Sequence, residues 1–423
     1  SMKGDPKVIQ WSNIPETALL IHQGPTFLEM EECEIIGRAE IISNKEEREK
    51  AIQLMTRRSP IVANFNQIGA LDRLEFIRIK PFIVKYRYVP EILQGESPTI
   101  FEFSENRSSF SSWDDIKAKA RAWKEAVRPL SLTASLVPLL LGGALAFSVL
   151  HTLNVWLFIL TIVGGIMIQA GTNMINDWKD ADRDNENAEG IRPFTGGSRM
   201  IQLGLVSRAD MGFFGMILSA IAAIIGFYLV AVSGWGLVPL ILYGLLAGVF
   251  YTAEKGKFSF INLAPGLAEF LIATTFGVLM TMGAFYVQTG YFSLQAFLIS
   301  LPVGVFISSV LLINQFQDAE SDAKSGKKTL VVRLGKLKAK NLLIASFIVG
   351  YLIIALLPVL GYTTYNIYFA FLSVPFAVQA IRYAHQNYNK TAVDLISGNA
   401  HTAINHLFAG LLLVFAFIFN ELS

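Results

Sequence analysis

Two groups of oxygen-bearing side chains, each placed where a long apolar stretch ends, have the residue types of a metal site. We name them the first column and the second column: Asn176, Asp180 and Asp184, then Asn314, Asp318 and Asp322. Within a column the residues stand four apart, slightly more than one helical turn, so each column lies along one face of a helix. Carboxylate and amide oxygens bind Mg²⁺, and neighbouring carboxylates repel unless a cation lies between them. We interpret the columns as facing walls of a magnesium diphosphate site.

Basic side chains near two of the apolar stretches would complete such a site. Tyr251 and Lys255 are one helical turn apart at the end of the fourth stretch, and Lys327 and Lys328 follow the second column. Positive groups stabilise the charge that grows on a diphosphate as its C–O bond breaks. The pattern indicates a substrate with a charged head and a long hydrocarbon tail, such as a prenyl diphosphate. Tyr251 is equally well explained as an interfacial tyrosine.

The stretches that position these groups have the length of membrane spans. Of 423 residues, 53% are hydrophobic and 16% are charged, against roughly 25% charged in soluble domains. Apolar stretches of about 18 to 25 residues cross a bilayer as helices. The sequence therefore predicts an all-α multi-pass bundle of about nine transmembrane helices, near residues 129–150, 154–176, 209–232, 235–252, 263–288, 292–316, 340–360, 363–383 and 398–420.

Charge and pattern divide the chain into three predicted domains. Residues 1–105 are polar and strand-rich, and predict a small soluble α+β domain. Residues 106–128 predict a polar linker and an amphipathic helix whose basic and Trp residues suit the membrane interface. Residues 129–423 hold the nine spans. In the first domain, strands are expected near residues 17–22, 33–42 and 74–84, with a helix over 45–58 that begins after Asn44.

The loops between spans alternate in charge. Loops after the first, third, fifth and seventh spans contain no Lys or Arg, whereas every loop after an even-numbered span is basic. Basic loops mark the cytoplasmic side of a prokaryotic inner or plasma membrane. Both columns and the N-terminus are therefore expected in the cytoplasm, and an odd number of spans places the C-terminus outside.

The span interiors contain few polar side chains. The clearest are Gln169, Glu269 and Asn405. A transporter needs polar groups through the whole membrane depth, so a cation-binding transporter is the weaker alternative to an enzyme that acts on a lipid diphosphate. For Glu269, a structural partner and a role in acceptor binding both stay open.

Several motifs in order resemble the signatures of the UbiA superfamily of membrane prenyltransferases. They are Asn173-x-x-Asn-Asp-x-x-Asp-x-x-x-Asp184, Tyr251-x-x-x-Lys255, and Asn314-x-x-x-Asp-x-x-x-Asp322 followed by Gly326-Lys-Lys-Thr-Leu330. The resemblance covers roughly residues 115–420. It implies a nine-helix bundle, Mg²⁺ dependence and transfer of a polyprenyl group to an acceptor that is often aromatic.

The resemblance also implies a role for each matching residue. Magnesium diphosphate would be bound by Asn176, Asp180, Asp184, Asp318 and Asp322. The catalytic step would be carried by Asp180, Asp318, Lys255 and Tyr251. Substrate binding would fall to a further set: Arg128 in Val127-Arg-Pro129, Asn173, Asp177, Asn314, Lys327 and Lys328. The implied partners are a polyprenyl diphosphate, an aromatic or quinone-precursor acceptor and the lipid bilayer, with no nucleic acid.

Within the superfamily, two segments resemble the 1,4-dihydroxy-2-naphthoate prenyltransferases of menaquinone synthesis. These segments are residues 277–290 and Lys328-Thr-Leu-Val-Val-Arg-Leu-Gly335. The segment Arg192-Pro-Phe-Thr-Gly-Gly-Ser198 is closer to other branches of the superfamily. Transfer to 4-hydroxybenzoate, a tetrapyrrole or a lipid therefore stays the alternative.

The N-terminal segment resembles part of a different fold. The run from Cys33 to Arg48 and the later Phe76-Ile-Arg-Ile-Lys-Pro81 are similar to the split barrel of flavin-binding pyridoxamine-phosphate-oxidase-like proteins. A structural or regulatory module is the first interpretation. A flavin bound to this domain is the alternative.

Overall fold

A computed structural model describes thirteen parts of the chain: residues 16–23, 31–58, 62, 65, 71, 74–88, 99–103, 112–186, 197–201, 205–251, 260–324, 326–390 and 392–422. The chain divides into two compact units. The first comprises Ser1–Glu125 with Arg199–Ser207, and the second comprises Ala126–Ser198 with Arg208–Ser423.

The first unit contains a four-stranded antiparallel sheet whose strands follow chain order. Its elements are β1 Glu16–Gln23, β2 Glu31–Ile41, α1 Lys45–Arg58, β3 Ile77–Tyr88 and β4 Thr99–Glu102. The three predicted strands and the predicted helix are present, although β3 extends further along the chain than expected, and β4 is an addition. Asn44 caps α1, because its Oδ1 accepts the backbone N–H of Glu46 at 2.9 Å. Closure of this sheet into a split barrel stays a prediction.

A bulge marks the pairing of β2 with β3. The register shifts between Ile36 and Gly37, where Gly37 stands opposite Pro81. Proline cannot donate to the ladder, so a bulge is one of the few places where a strand accommodates it. A Cβ on Gly37 would lie 2.3 Å from the carbonyl oxygen of Lys80, so only glycine fits there.

Cross-strand ion pairs reinforce this sheet. Glu40 accepts a hydrogen bond from Arg78 at 2.9 Å and lies 3.1 Å from Lys80 Nζ. Partial burial raises the pKa of Glu40, but the hydrogen bonds from these two cations outweigh it, so the net pKa is lowered. The linked stabilisation is therefore present at neutral pH and is lost as the pH falls through the lowered pKa.

From Ser112 onward, the regular secondary structure of the described residues is helical. The helices are α2 Ser112–Val127, α3 Thr133–Leu150, α4 Val155–Glu186, α5 Arg208–Ser233, α6 Leu237–Tyr251, α7 Phe260–Leu263, α8 Leu267–Ala273, α9 Met280–Thr289, α10 Leu294–Lys324, α11 Leu330–Leu334, α12 Lys336–Val359, α13 Val374–Asn387 and α14 Ala392–Leu422. A π-helical segment, Thr274–Leu279, joins α8 to α9, and a 3₁₀-helical segment, Tyr365–Ser373, leads into α13.

Eight helical segments among the described residues are long and apolar enough to cross a membrane, and the shorter apolar helix α6 makes a ninth. The joined segment from α8 to α9 counts as one span, and so does the segment from Tyr365 to Asn387. The predicted fold class, a multi-pass helical bundle with a small strand-rich N-terminal domain, is confirmed. The protein is an integral membrane protein.

The first and last spans are parallel neighbours. At their far ends His151 pairs with Glu421. Closer to their beginnings the helices touch so tightly that a Cβ on Gly410 would lie 2.1 Å from Val137 Cγ1. The first and last spans of the second unit, α3 and α14, therefore pack against each other. Its largest fully buried side chains include Phe285, Phe306 and Phe347.

The fifth span crosses α10 at two glycines. A Cβ on Gly277, within the π-helical segment, would lie 2.3 Å from Gly304 Cα, and a Cβ on Gly304 would lie 2.6 Å from the carbonyl oxygen of Ala273. Small residues allow such close approach of membrane helices, and π-helical turns often occur beside functional sites. The contact fixes α8 against the helix that carries the second column.

We expect Gly277→Ala to destabilise the protein by about 2–3 kcal/mol, because the added methyl group meets backbone rather than a side chain that can move. The matched control is Gly244→Ala, where a Cβ meets nothing within 4 Å. Thermal unfolding in detergent should show a lower midpoint for the first variant alone. Equal midpoints for the two variants would contradict the close contact.

Candidate active site

The helix that carries the first column presents two adjacent rows of polar side chains. Gln169, Asn173 and Asp177 stand four apart, as do the column residues Asn176 and Asp180. The two rows are separated by three residues, or about 60° around the helix axis. The structure gives the rows different surroundings.

Gln169 and Asn173 hold the turn that precedes the first span. Gln169 Nε2 donates to the carbonyl oxygen of Ser131 at 2.6 Å, and its Oε1 accepts a hydrogen bond from Ser135 Oγ. Asn173 Nδ2 donates to Ser131 Oγ at 2.8 Å and to the carbonyl oxygen of Val127 at 3.2 Å. The turn that contains Arg128 is therefore fixed to α4 by side-chain amides.

Asp177 completes this row by pairing with Arg128. Its Oδ1 accepts from Arg128 Nη2, and its Oδ2 accepts the backbone N–H of Ser198 at 3.1 Å. Asp177 is 5% exposed, so both carboxylate oxygens are satisfied by protein groups, as burial of a charge requires. Arg128 adopts a left-handed backbone conformation, φ 56°, at the junction between α2 and the first span.

The Arg128 guanidinium keeps donors that no described residue uses. Its Nε is buried and has no hydrogen-bond partner within the described parts of the chain. A guanidinium carries five N–H donors in a planar fork that suits phosphate oxygens. This donor lies beside Asp177, the residue that follows Asn176 of the first column, and the predicted substrate-binding role of Arg128 stays a prediction.

The first column lies on the row next to Asp177. Asn176 and Asp180 are half-buried, at the end of α4 where the helix leaves its apolar part. Asp184 belongs to the same helix, but its side chain lies outside the described residues. Asp177 thus holds protein groups in this structure, although the sequence placed it with the substrate-binding residues.

The second column begins with an asparagine held by the last span. Asn314 Oδ1 accepts a hydrogen bond from Asn399 Nδ2 at 2.6 Å, and Asn399 Oδ1 accepts one from Gln317 Nε2 at 3.0 Å. Asn399 is fully buried on α14. This chain of amides fixes the direction of each partner, so Asn314 turns its N–H donors away from Asn399.

The remaining carboxylates of the second column are half-buried and precede a loop that folds back on α10. The carbonyl oxygen of Asp322 accepts the backbone N–H of Lys327 at 2.8 Å. Asn262 on α7 fixes the next residue, because its Oδ1 accepts the Lys328 backbone N–H at 2.8 Å. Arg333 bridges the two segments by donating to the carbonyl oxygens of Asn262 and Lys328. The loop that contains Lys327 and Lys328, which we name the basic loop, is thus held next to Asp322.

The two columns lie at the same end of the helical unit. The backbone N–H of Asn154, just before α4, donates to Gln288 at the end of α9 at 2.9 Å, and α10 begins five residues after α9 ends. Both column-bearing helices therefore start together. Asp180 lies 25 residues beyond the start of α4 and Asp318 lies 24 beyond the start of α10, about 37 and 36 Å along the axes. We therefore expect the columns at nearly the same height.

The donor sets fit Mg²⁺ chemically. Each column offers one amide and two carboxylates, and Mg²⁺ commonly binds one or two carboxylates together with substrate phosphates. Two of the predicted residues cannot be compared with this arrangement. Tyr251 is the last residue of α6 but its side chain lies outside the described residues, and so does all of Lys255.

Sequence reasoning missed Asn399 and Gln315 as partners of the site. Asn399 is a lone amide within an apolar span, and such residues usually find buried partners. Gln315 stands beside Asn314 and shares its helix face with Asp318. Those two signals were available, but neither indicated which helix would supply the partner.

Polar groups at one end of an apolar helical bundle fit a membrane enzyme that acts on a lipid with a charged head group. The chain matches the UbiA prenyltransferase family over residues 135–397. A 1,4-dihydroxy-2-naphthoate octaprenyltransferase of Bacillus subtilis is 31% identical over 300 residues, which cover 68% of this chain and 89% of that protein. The chain belongs to the UbiA prenyltransferase family and is a membrane prenyltransferase.

Two further relatives show how far the similarity extends. A 2-carboxy-1,4-naphthoquinone phytyltransferase of Synechocystis is 27% identical over 301 residues, covering 70% of this chain and 92% of that protein. A UbiA homologue from Archaeoglobus fulgidus, solved bound to DMAPP and Mg²⁺, has the same fold with a TM-score of 0.51 at 12% identity. That likeness covers 69% of this chain and 98% of the homologue. The predicted family is confirmed.

Proposed function

We propose that the protein transfers a polyprenyl group from a polyprenyl diphosphate to 1,4-dihydroxy-2-naphthoate or a related aromatic quinone precursor, with Mg²⁺ as cofactor. The observation that carries the proposal is that the two helices bearing the Asn/Asp/Asp columns begin side by side and carry their columns 24 and 25 residues further on, which supports a shared site at one end of the unit. Relatives that act on naphthoate acceptors, and a structural relative bound to DMAPP and Mg²⁺, support it.

Different residues would bind the metal ion and the diphosphate. Mg²⁺ would be bound by the first column, Asn176, Asp180 and Asp184, and by the two carboxylates of the second column, Asp318 and Asp322. When bound, Mg²⁺ neutralises charge on the leaving diphosphate. Arg128 would bind a phosphate oxygen through its unused donors, and Asn314 would donate from its amide. Lys327 and Lys328, whose backbone N–H groups bond to Asp322 and Asn262, would add positive charge.

The apolar spans would bind the hydrocarbon tail of the substrate. A hydrocarbon tail gains stability from burial among apolar side chains, at about 0.8 kcal/mol for each CH₂ group removed from water. The same apolar surroundings exclude water from an electron-poor allylic carbon, and aromatic side chains stabilise positive charge by cation–π contact. Catalytic roles for Tyr251 and Lys255 remain part of this proposal.

The orientation of the protein is proposed from its charges. Basic loops adjoin the end that carries the columns, which supports a cytoplasmic position for that end. The pair of His151 and Glu421 lies at the opposite end of the unit, next to the C-terminus. The active end and the N-terminus are therefore cytoplasmic, and the C-terminus lies outside. The domain division at residues 105 and 128 stays a proposal, as does flavin binding by the N-terminal sheet.

The test is product formation by the purified protein in detergent with Mg²⁺, a polyprenyl diphosphate and a panel of acceptors. The panel contains 1,4-dihydroxy-2-naphthoate, 4-hydroxybenzoate, a tetrapyrrole and a glycerol lipid. Mass analysis should find the prenylated product, with release of diphosphate, only from the naphthoate. A product from another acceptor alone would overturn the acceptor assignment. No product from any acceptor in the panel would overturn the proposed reaction.

A further inference from the structure

The fifth span begins with a buried carboxylate that neither column uses. Glu269 lies in the first turn of α8 and is 8% exposed. Its Oε1 accepts a hydrogen bond from Gln315 Nε2 at 2.5 Å. Within the described parts of the chain, nothing donates to Oε2 and no cation pairs with the group. A buried carboxylate with one neutral partner is costly in a membrane span, and such residues usually have a function.

Gln315 fixes where this carboxylate points. Its Oε1 accepts the backbone N–H of Val331 at 3.3 Å, so its Nε2 must face the other way, towards Glu269. Val331 belongs to α11, which follows the basic loop behind the second column. The direction of the Glu269 side chain therefore depends on a path of hydrogen bonds that runs from Val331 through Gln315.

This path places Glu269 just below the second column. Gln315 precedes Asp318 and Asp322 by three and seven residues, so all three lie on one face of α10. Gln315 is also one turn, about 5 Å, nearer the apolar part of that helix. In a prenyl diphosphate held at the column, the reacting carbon lies on the hydrocarbon side of the phosphates. Glu269 is at the level where that carbon and the acceptor would meet.

We propose that Glu269 is a catalytic residue, the base that takes the proton of the acceptor's ring hydroxyl; this inference rests on the proposed function. The O–H bond breaks and its proton passes to the Glu269 carboxylate. The released electron pair moves into the ring, and the ring carbon beside the hydroxyl forms a bond to C1 of the prenyl group. The C1–O bond breaks, and its electron pair leaves with the diphosphate. The first product is the keto tautomer of the prenylated ring.

The competing explanation is a purely structural hydrogen bond between α8 and α10. Glu269→Gln separates the two roles, because an amide keeps the size of the side chain and an oxygen that accepts from Gln315, but cannot take up the proton. The matched control is Glu320→Gln, the same change on α10 at a residue whose side chain is 81% exposed. General bases contribute about 10²–10⁴-fold to rate.

The experiment measures three quantities for the wild type and both variants: binding of polyprenyl diphosphate with Mg²⁺, thermal unfolding, and the rate of naphthoate prenylation against pH. For Glu269→Gln we expect unchanged binding and unfolding, with kcat lower by about 100-fold or more near neutral pH. The deficit should shrink as the pH approaches about 10, where phenolic hydroxyls ionise without a base. Glu320→Gln should behave as the wild type.

Three outcomes would overturn the inference. Turnover of Glu269→Gln within about twofold of wild type excludes an essential base, since such a group is worth at least 10²-fold. A lower unfolding midpoint together with weaker diphosphate binding assigns the residue a structural role. A deficit that is the same at every pH removes proton transfer as its cause. If the wild type itself prenylates no acceptor, both the proposed function and the base assignment are wrong. This result is distinguishable from the other three, because it is obtained before any variant is compared.

Discussion

Replacing Asp318 with asparagine should lower product formation by about 10²–10³-fold, the usual effect of removing one charge-stabilising group from a reacting centre. The amide preserves the size of the side chain and removes the negative charge that a divalent cation requires. Asp318 lies on α10 at nearly the same height as Asp180 on α4, so Asp180→Asn should have an effect of the same order. The measurement is diphosphate release with saturating substrates.

Magnesium dependence gives this prediction its specific readout. If Asp318 holds the metal, the variant should need a higher Mg²⁺ concentration for half-maximal rate, and excess Mg²⁺ should recover part of the loss. Chelation by EDTA should abolish wild-type turnover. Glu320→Gln, two residues further along the same helix and exposed, is the control for a general change in charge. Wild-type turnover with an unchanged Mg²⁺ requirement in Asp318→Asn would remove the second column from the site.

Replacing Asp177 with alanine should destabilise the protein by about 3 kcal/mol, because it leaves a partly buried arginine without its counter-charge. Arg128 is 30% exposed through its side chain, which keeps the loss near the lower end of the range for buried pairs. The same change releases the Ser198 backbone N–H. With Arg128 no longer held, we also expect the KM for polyprenyl diphosphate to rise by about tenfold, equivalent to 1.4 kcal/mol.

Glu421→Ala is the matched control for this second prediction. It also breaks a pair, with His151, but that histidine side chain is 75% exposed and lies at the opposite end of the unit. The Glu421 side chain is 15% exposed, but solvent reaches the pair through His151, so we expect a contribution of about 1 kcal/mol and no change in the KM. If Asp177→Ala keeps both the wild-type unfolding midpoint and the wild-type KM, then Asp177 does not position Arg128.

The local features of this protein could be predicted from spacing alone. A run of apolar residues long enough to cross a bilayer must satisfy its backbone internally, so it is helical whatever its neighbours are. Side chains four apart on such a helix share a face, which is why both columns were visible before any packing was known. The family, the membrane spans and the small strand-rich domain followed from these local rules and from ordered motifs.

Packing decided what each polar side chain faces. Asn173 and Asp177 belong to the same motif as Asn176 and Asp180, yet a rotation of about 60° turns the first pair towards the Arg128 turn. No spacing rule distinguishes the two rows, because the difference depends on which helix packs beside α4. In this structure Asn173 and Asp177 form hydrogen bonds with protein groups, and their predicted substrate-binding role stays a prediction.

The sequence by itself determined the helices, the two oxygen-rich columns and the family, because those properties depend on residues within one or two turns of each other. Only the tertiary structure decided the partners: Asp177 with Arg128, Asn399 with Asn314, and Glu269 with Gln315, pairs that are 49, 85 and 46 residues apart. Such pairs form only when two distant helices bring particular faces together. Burial then makes the pairing obligatory, because a polar group without a partner is costly inside an apolar bundle.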